Sequence, residues 1–149
     1  MTISEYTQRI DYLKWQIESK KEKILALEEI ATSITSVQTG MPHDPSPTQS
    51  RMAEAVLKKL DLENSIKADE AEIQALKDEL SFAIEKVASP KYQAILYKRY
   101  IRNMPFEEIC EELSYSARSV FRLHKEAAKA LERTLASGEK WQSMAVDGS

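Results

Sequence analysis

Glycine is scarce in this sequence, with 3 in 149 residues, and proline occurs 5 times. So few turn formers leave little material for the tight hairpins of a sheet-rich fold. Cysteine occurs once, at Cys110, which excludes an internal disulfide or a multi-thiolate metal site and fits a reducing cytoplasm. Aromatic residues make up only 7%. No apolar run approaches the roughly 18–20 residues that span a bilayer, so no membrane association is expected. The start, MTISEYTQRI, lacks the basic residues and apolar stretch of a secretion signal. A cytoplasmic protein is the expectation. What the chain has instead is charge, 30% of residues, together with abundant Glu, Lys, Ala, Leu and Ile, the composition of long helices.

From Thr2 to about Val37, apolar residues recur at alternating steps of three and four. One set is Ile3, Ile10, Ile17, Ile24 and Ala31; the other is Tyr6, Leu13, Lys20, Leu27 and Ile34. A 3.5-residue period sustained in this way predicts a long helix with a coiled-coil stripe. Ser4 is a candidate cap for its first turn. The segment 36–50, SVQTGMPHDPSPTQS, holds Gly40 and three prolines, and helix cannot continue through such spacing. It reads as a connector. A second stripe then runs from about Gln49 to Val87 through Met52, Ala55, Lys59, Leu62, Ile66, Asp69, Ile73, Leu76, Leu80, Ala83 and Val87. Two long helices and one connector make an antiparallel hairpin over residues 1–88. If Ile34 lies near Met52, the polar members of the two stripes meet, predicting a Lys20–Asp69 pair that sets register. The same stripes could instead pair between chains, and periodicity does not choose between the two; a homo-oligomer is expected.

Ser89-Pro90 ends the second helix. Residues 89–136 then hold three shorter helical patterns: 91–101, 105–113 with Pro105 at an N1-like position, and a third that Ser116 can cap. Ser114-Tyr115 forms the short break before the third. Ile109 and Leu113 supply the inner face of one helix, and Val120, Leu123, Ala127 and Leu131 that of the next. The expected architecture is all-α: a long antiparallel helical hairpin (coiled coil) followed by a small helix-turn-helix domain, with a flexible tail over 137–149.

The net charge of −3 is unevenly spread. Residues 1–88 carry −5, residues 89–136 carry +3, and the tail carries −1. Glu107, Glu108, Glu111 and Glu112 crowd the short middle helix. Arg118, Arg122, Lys125, Lys129 and Arg133 occupy the third, joined by Lys98, Arg99 and Arg102 on the first. A solvated face is the plain reading of a basic helix. In a helix-turn-helix, however, the first turns of the last helix enter the major groove. Ser116, Arg118, Ser119, Arg122 and Lys125 are then the candidate contacts with double-stranded DNA. Arg118 and Arg122 lie four apart, so both reach the same groove; an arginine can donate two hydrogen bonds to guanine.

The run LYKRYIRNMPFEEICEELSYSARSVFRLHKEAAKAL resembles the sigma-factor region-four type of helix-turn-helix. It is similar in particular to phage and mobile-element regulators of the RinA/ArpU late-transcription kind. The residues that carry the likeness are Arg99-Tyr100, Phe106-Glu107-Glu108-Ile109, Ser114-Tyr115-Ser116 and Val120-Phe121-Arg122-Leu123-His124. The resemblance implies DNA binding and transcriptional control through Arg118, Ser119, Arg122 and Lys125, with RNA polymerase or another regulator as a further partner. Asn103-Met104 departs from the glycine-containing approach more usual in such turns.

No enzyme is expected. His43, His124 and Cys110 are scattered, whereas a metal site needs clustered ligands; neither metal nor cofactor is expected. Cys110 reads as a buried small apolar residue. His124 either reaches a phosphate or sits partly buried on its helix. Adjacent glutamates without a pocket read as structural. Nothing resembles a phosphate-cradling glycine loop or a nucleophile elbow. Tyr92, Tyr97, Tyr100, Tyr115 and Phe121 are mostly core, although Tyr115 and Phe121 stand near the turn.

Overall fold

A computed structural model describes the backbone of residues 1–37 and 46–147, with side chains over 1–32 and 49–138. Among the described residues every element is helical. In order they are α1 (Ile3–Val37), α2 (Ser46–Glu85), α3 (Pro90–Leu96), a π-helical turn (Tyr97–Ile101), α4 (Phe106–Leu113) and α5 (Ala117–Asp147). No described helix is long and apolar enough to cross a membrane. The chain divides into two compact units, Asp11–Ile73 and a second made of Met1–Ile10 with Gln74–Ser149.

The first unit holds the antiparallel run of α1 against α2. Its stripe residues turn inward as the period requires: Leu13, Ile17, Ala55 and Ile66 are buried. Polar members close the seam. Lys20 Nζ lies 2.5 Å from Asp69 Oδ2 and donates to Ser65 Oγ at 2.6 Å, so the predicted pair forms, and the serine completes it. Further along, Lys59 pairs with Glu28 at 3.0 Å. The neighbouring carboxylate raises the Lys59 ammonium above its ordinary pKa, first by the hydrogen bond from Lys59 to Glu28. Most of the expected connector, with His43 and Gly40, lies outside the described residues, as does the side chain of Ile34. α2 begins at Ser46, already inside the expected connector.

In the second unit, the cap of α1 is Thr2 rather than Ser4. Glu5 N–H donates to Thr2 Oγ1 (3.2 Å) and Thr2 N–H donates to Glu5 Oε2 (3.0 Å), a reciprocal capping box. Ser4 Oγ instead accepts from the Gln8 amide. Tyr6, buried, donates its hydroxyl to Glu79 at 3.0 Å; burial, and then that carboxylate, push its pKa up to about 12. Gln93 donates to the carbonyls of Val87 and Glu85, satisfying acceptors at the end of α2, while Ser89 caps α3 ahead of Pro90. Leu80, Ile95, Leu96, Ile109, Val120 and Leu131 are fully buried and form the core, with Ala127 among them. Burying a side chain of this size contributes roughly 1.5–3 kcal/mol, so this unit has the apolar core that a small helical domain needs.

Four local differences from expectation appear here. The predicted helix over 91–101 changes to π geometry at Tyr97, where Arg102 N–H reaches back five residues to the Tyr97 carbonyl. Pro105 sits at the N-cap of α4, not at N1, with φ −65° and ψ 153°. Cys110 is half-buried rather than part of the closed core. α5 continues to Asp147, past Ser137 and Gly138; a β-carbon added at Gly138 would meet nothing within 4 Å. The side chains of the expected tail beyond Gly138, Trp141 and Met144 among them, lie outside the described residues.

Candidate nucleic-acid interface

The turn between α4 and α5 is three residues long, and each residue has a defined task. Ser114 takes the left-handed conformation (φ 55°, ψ 40°) that closes α4. Its N–H donates to the Glu111 carbonyl (3.3 Å), and Tyr115 N–H donates to the Cys110 carbonyl (3.1 Å), the paired bonds of a Schellman motif. Ser116 then caps α5. Its hydroxyl oxygen accepts from Ser119 N–H at 3.2 Å, and Val120 N–H donates to its carbonyl at 3.0 Å. The Ser116 hydroxyl also donates to Ser119 Oγ at 2.9 Å. Both serines are therefore part of the cap, and the Ser119 hydroxyl keeps its own proton for an outside acceptor.

The five candidate DNA contacts, Ser116, Arg118, Ser119, Arg122 and Lys125, are all exposed. Arg118, Arg122 and Lys125 follow at steps of four and three, on the side of α5 opposite buried Val120 and Ala127. None of these three forms an ion pair among the described residues. The basic residues of the first helical segment behave differently. Lys98 and Arg102 both pair with Glu112, the latter at 3.4 Å, and these two cations hold the Glu112 carboxyl below its ordinary pKa, the hydrogen bond from Lys98 first. Arg99 lies over the Phe106 ring at 4.3 Å and donates to the Met104 carbonyl at 3.1 Å. Lys98, Arg99 and Arg102 are thus engaged in contacts within the domain, whereas the exposed cations of α5 are not ion-paired among the described residues.

A second layer that the sequence did not reveal positions α5. Tyr100 and His124 are hydrogen-bonded at 2.8 Å, and the Phe106 ring stands edge-on to His124 with centroids 5.1 Å apart. Phe106 also packs against Phe121 at 4.9 Å. His124 is half-buried, and burial, followed by the Arg99 charge, lowers its pKa. Of the two sequence readings of His124, the partly buried one holds. Phe121 keeps 54% of its surface exposed and Tyr115 39%, the latter beneath the Lys91 ammonium at 5.1 Å. Asn103 fills the place where a glycine was expected, at φ 54°, a conformation asparagine tolerates better than most residues. The following Met104 is buried and its N–H reaches the Lys98 carbonyl at 3.0 Å, fixing the approach to α4. Among the described residues no three His, Cys, Asp or Glu side chains gather closely enough to hold a metal ion.

Fold and surface together define an all-α protein in which a long two-helix run precedes a helix-turn-helix. Residues 48–132, more than half of the chain, match the family described as Protein of unknown function (DUF1492), and the chain belongs to that family. No curated protein and no solved structure matches it. The matched segment includes α3, α4, the turn and the basic first turns of α5.

Proposed function

We propose that this chain is a DNA-binding transcriptional regulator that reads the major groove with the first turns of α5. The observation that carries the reading is the turn: a Schellman-closed α4, a serine-capped α5, and three exposed cations with no carboxylate partner on its leading face. In this role Arg118 and Arg122 donate to base edges, while Ser116, Ser119 and Lys125 position on phosphate. The likeness to RinA/ArpU regulators suggests late genes of a phage or mobile element as targets, and RNA polymerase or another regulator as a partner. The chain acts in the cytoplasm as a homo-oligomer, without catalysis or a cofactor, and two copies read two half-sites.

Selection of bound fragments from a random DNA pool tests the proposal, followed by the double variant Arg118→Ala, Arg122→Ala on the recovered sequence. Loss of affinity with intact helicity is expected. An unchanged affinity in the folded double variant overturns the groove-reading assignment.

A second reading, a coiled-coil adaptor for another protein with the helix-turn-helix as a packing module, draws on one observation. Val56, Leu57 and Leu60 of α2 are half or more exposed. Such apolar side chains mark a surface for another helix. A chain that captures no DNA from the pool would favour it.

A further inference from the structure

The cationic face of α5 does not end at Lys125. Lys129 and Arg133 continue it at two further steps of four, and both are exposed. Five cations thus share one side of the helix, opposite buried Val120, Ala127 and Leu131. Two glutamates, Glu126 and Glu132, are interleaved with them and would be expected to neutralise the stripe through neighbouring-turn pairs. Both are held elsewhere. Tyr92 donates its hydroxyl to Glu126 Oε2 at 3.1 Å, and the backbone N–H of Ile3 donates to Glu132 Oε1 at 2.8 Å. No ion pair among the described residues involves Lys129 or Arg133. Among the described residues, no cation of the stripe is tied up in an ion pair.

Its length decides what it can touch. At a rise of about 1.5 Å per residue, Arg118 to Lys125 spans about 10 Å and Arg118 to Arg133 about 22 Å. The major groove of duplex DNA is about 12 Å wide. The first three cations fit within it; the last two extend beyond it, where the sugar–phosphate wall stands. We infer that Lys129 and Arg133 grip backbone phosphates at the rim of the groove that the first turns of α5 enter, and read no bases. This rests on the DNA-binding reading above and adds a second, sequence-independent contact region to it.

The test is a salt titration of the full chain on two labelled duplexes, one of random sequence and one recovered by selection. The variants are Lys129→Gln, Arg133→Gln together, and Lys129→Gln alone. Each phosphate contact contributes about 0.9 to the slope of log affinity against log salt, so the double variant should be shallower by about 1.8. Between about 50 and 200 mM salt, the wild type should then lose about 12-fold more affinity than the double variant. The loss should be equal on both duplexes, leaving the preference for the selected sequence intact. The single variant should show half the slope change, and it carries the test if the double variant melts early. A slope equal to wild type overturns the inference, and so does a collapse of sequence preference, which would make these residues base readers. If the wild type binds neither duplex, the DNA-binding reading itself has failed. If it binds, and Arg118→Ala, Arg122→Ala removes preference while the Lys129 and Arg133 variants keep the wild-type slope, only the present inference falls.

Discussion

Replacing Lys20 by methionine leaves the Asp69 carboxylate at the α1–α2 seam with Ser65 nearby but no cation. The reverse substitution, Asp69→Leu, leaves the ammonium with only the Ser65 hydroxyl, 2.6 Å away. Their side chains are 19% and 13% exposed, so neither charge is fully solvated and neither is fully dry. Breaking a fully buried pair costs about 3–5 kcal/mol; with this much water access each single variant should cost about 1–2 kcal/mol. Removing both charges at once gives a different sum. Methionine opposite leucine continues the apolar stripes of Leu13, Ile17 and Ile66, and desolvation is no longer opposed by attraction. The double variant should lie within about 1 kcal/mol of wild type, which makes the pair non-additive by about 2 kcal/mol. Urea melts of the four chains, followed by helical circular dichroism, measure the cycle. Additive costs would refute the seam interaction. A double variant that is as stable as wild type but melts over a broader transition would show what the pair contributes: one register out of several that two heptad stripes allow.

Four further outcomes are expected. Ser116→Ala removes the acceptor for Ser119 N–H and should destabilise the helix-turn-helix by about 1 kcal/mol, read from its melting transition. Ser114→Gly keeps the left-handed closure without its β-carbon cost and should stabilise by up to about 1 kcal/mol; a loss of stability would contradict the Schellman assignment. The His124 pKa is lowered in the fold, so the unfolded chain binds the proton more readily. Stability is therefore present above the unfolded value of about 6.5 and is lost as pH falls through the folded one. Melting temperatures should drop between about pH 7 and 5, and His124→Gln should flatten that drop; an equally steep fall in the variant would assign it to other groups.

What the sequence made legible follows from what each feature depends on. The two long stripes, the Lys20–Asp69 pair and the Ser116 cap depend on spacing along one or two regular helices, and spacing is written in the chain. The Thr2–Glu5 capping box was equally legible, since Thr-x-x-Glu stands at the start of the apolar period. The partners of Lys98, Arg102, Glu126 and Glu132 were not. Lys98 and Glu112 are separated by a turn of π geometry and a positive-φ asparagine, and no periodicity predicts which carboxylate they bring to which cation. The Tyr100–His124 contact likewise joins residues 24 apart across two helix breaks.

That difference bears directly on the candidate interface. Charge counted over residues 89–136 gives +3, with all nine cations and six acids weighted alike. The fold does not weight them alike. Lys98 and Arg102 share the single carboxylate of Glu112, Arg99 stacks on Phe106, and Glu126 and Glu132 accept hydrogen bonds from Tyr92 and Ile3. Arg118, Arg122, Lys125, Lys129 and Arg133 remain on one exposed side of α5. Coulomb interaction with a phosphate falls with distance and is screened beyond about 8–10 Å in physiological salt. A docked phosphate therefore responds to the local stripe rather than to the domain total. The chain's overall acidity is compatible with DNA binding for this reason, and removing any single cation of the stripe should weaken affinity.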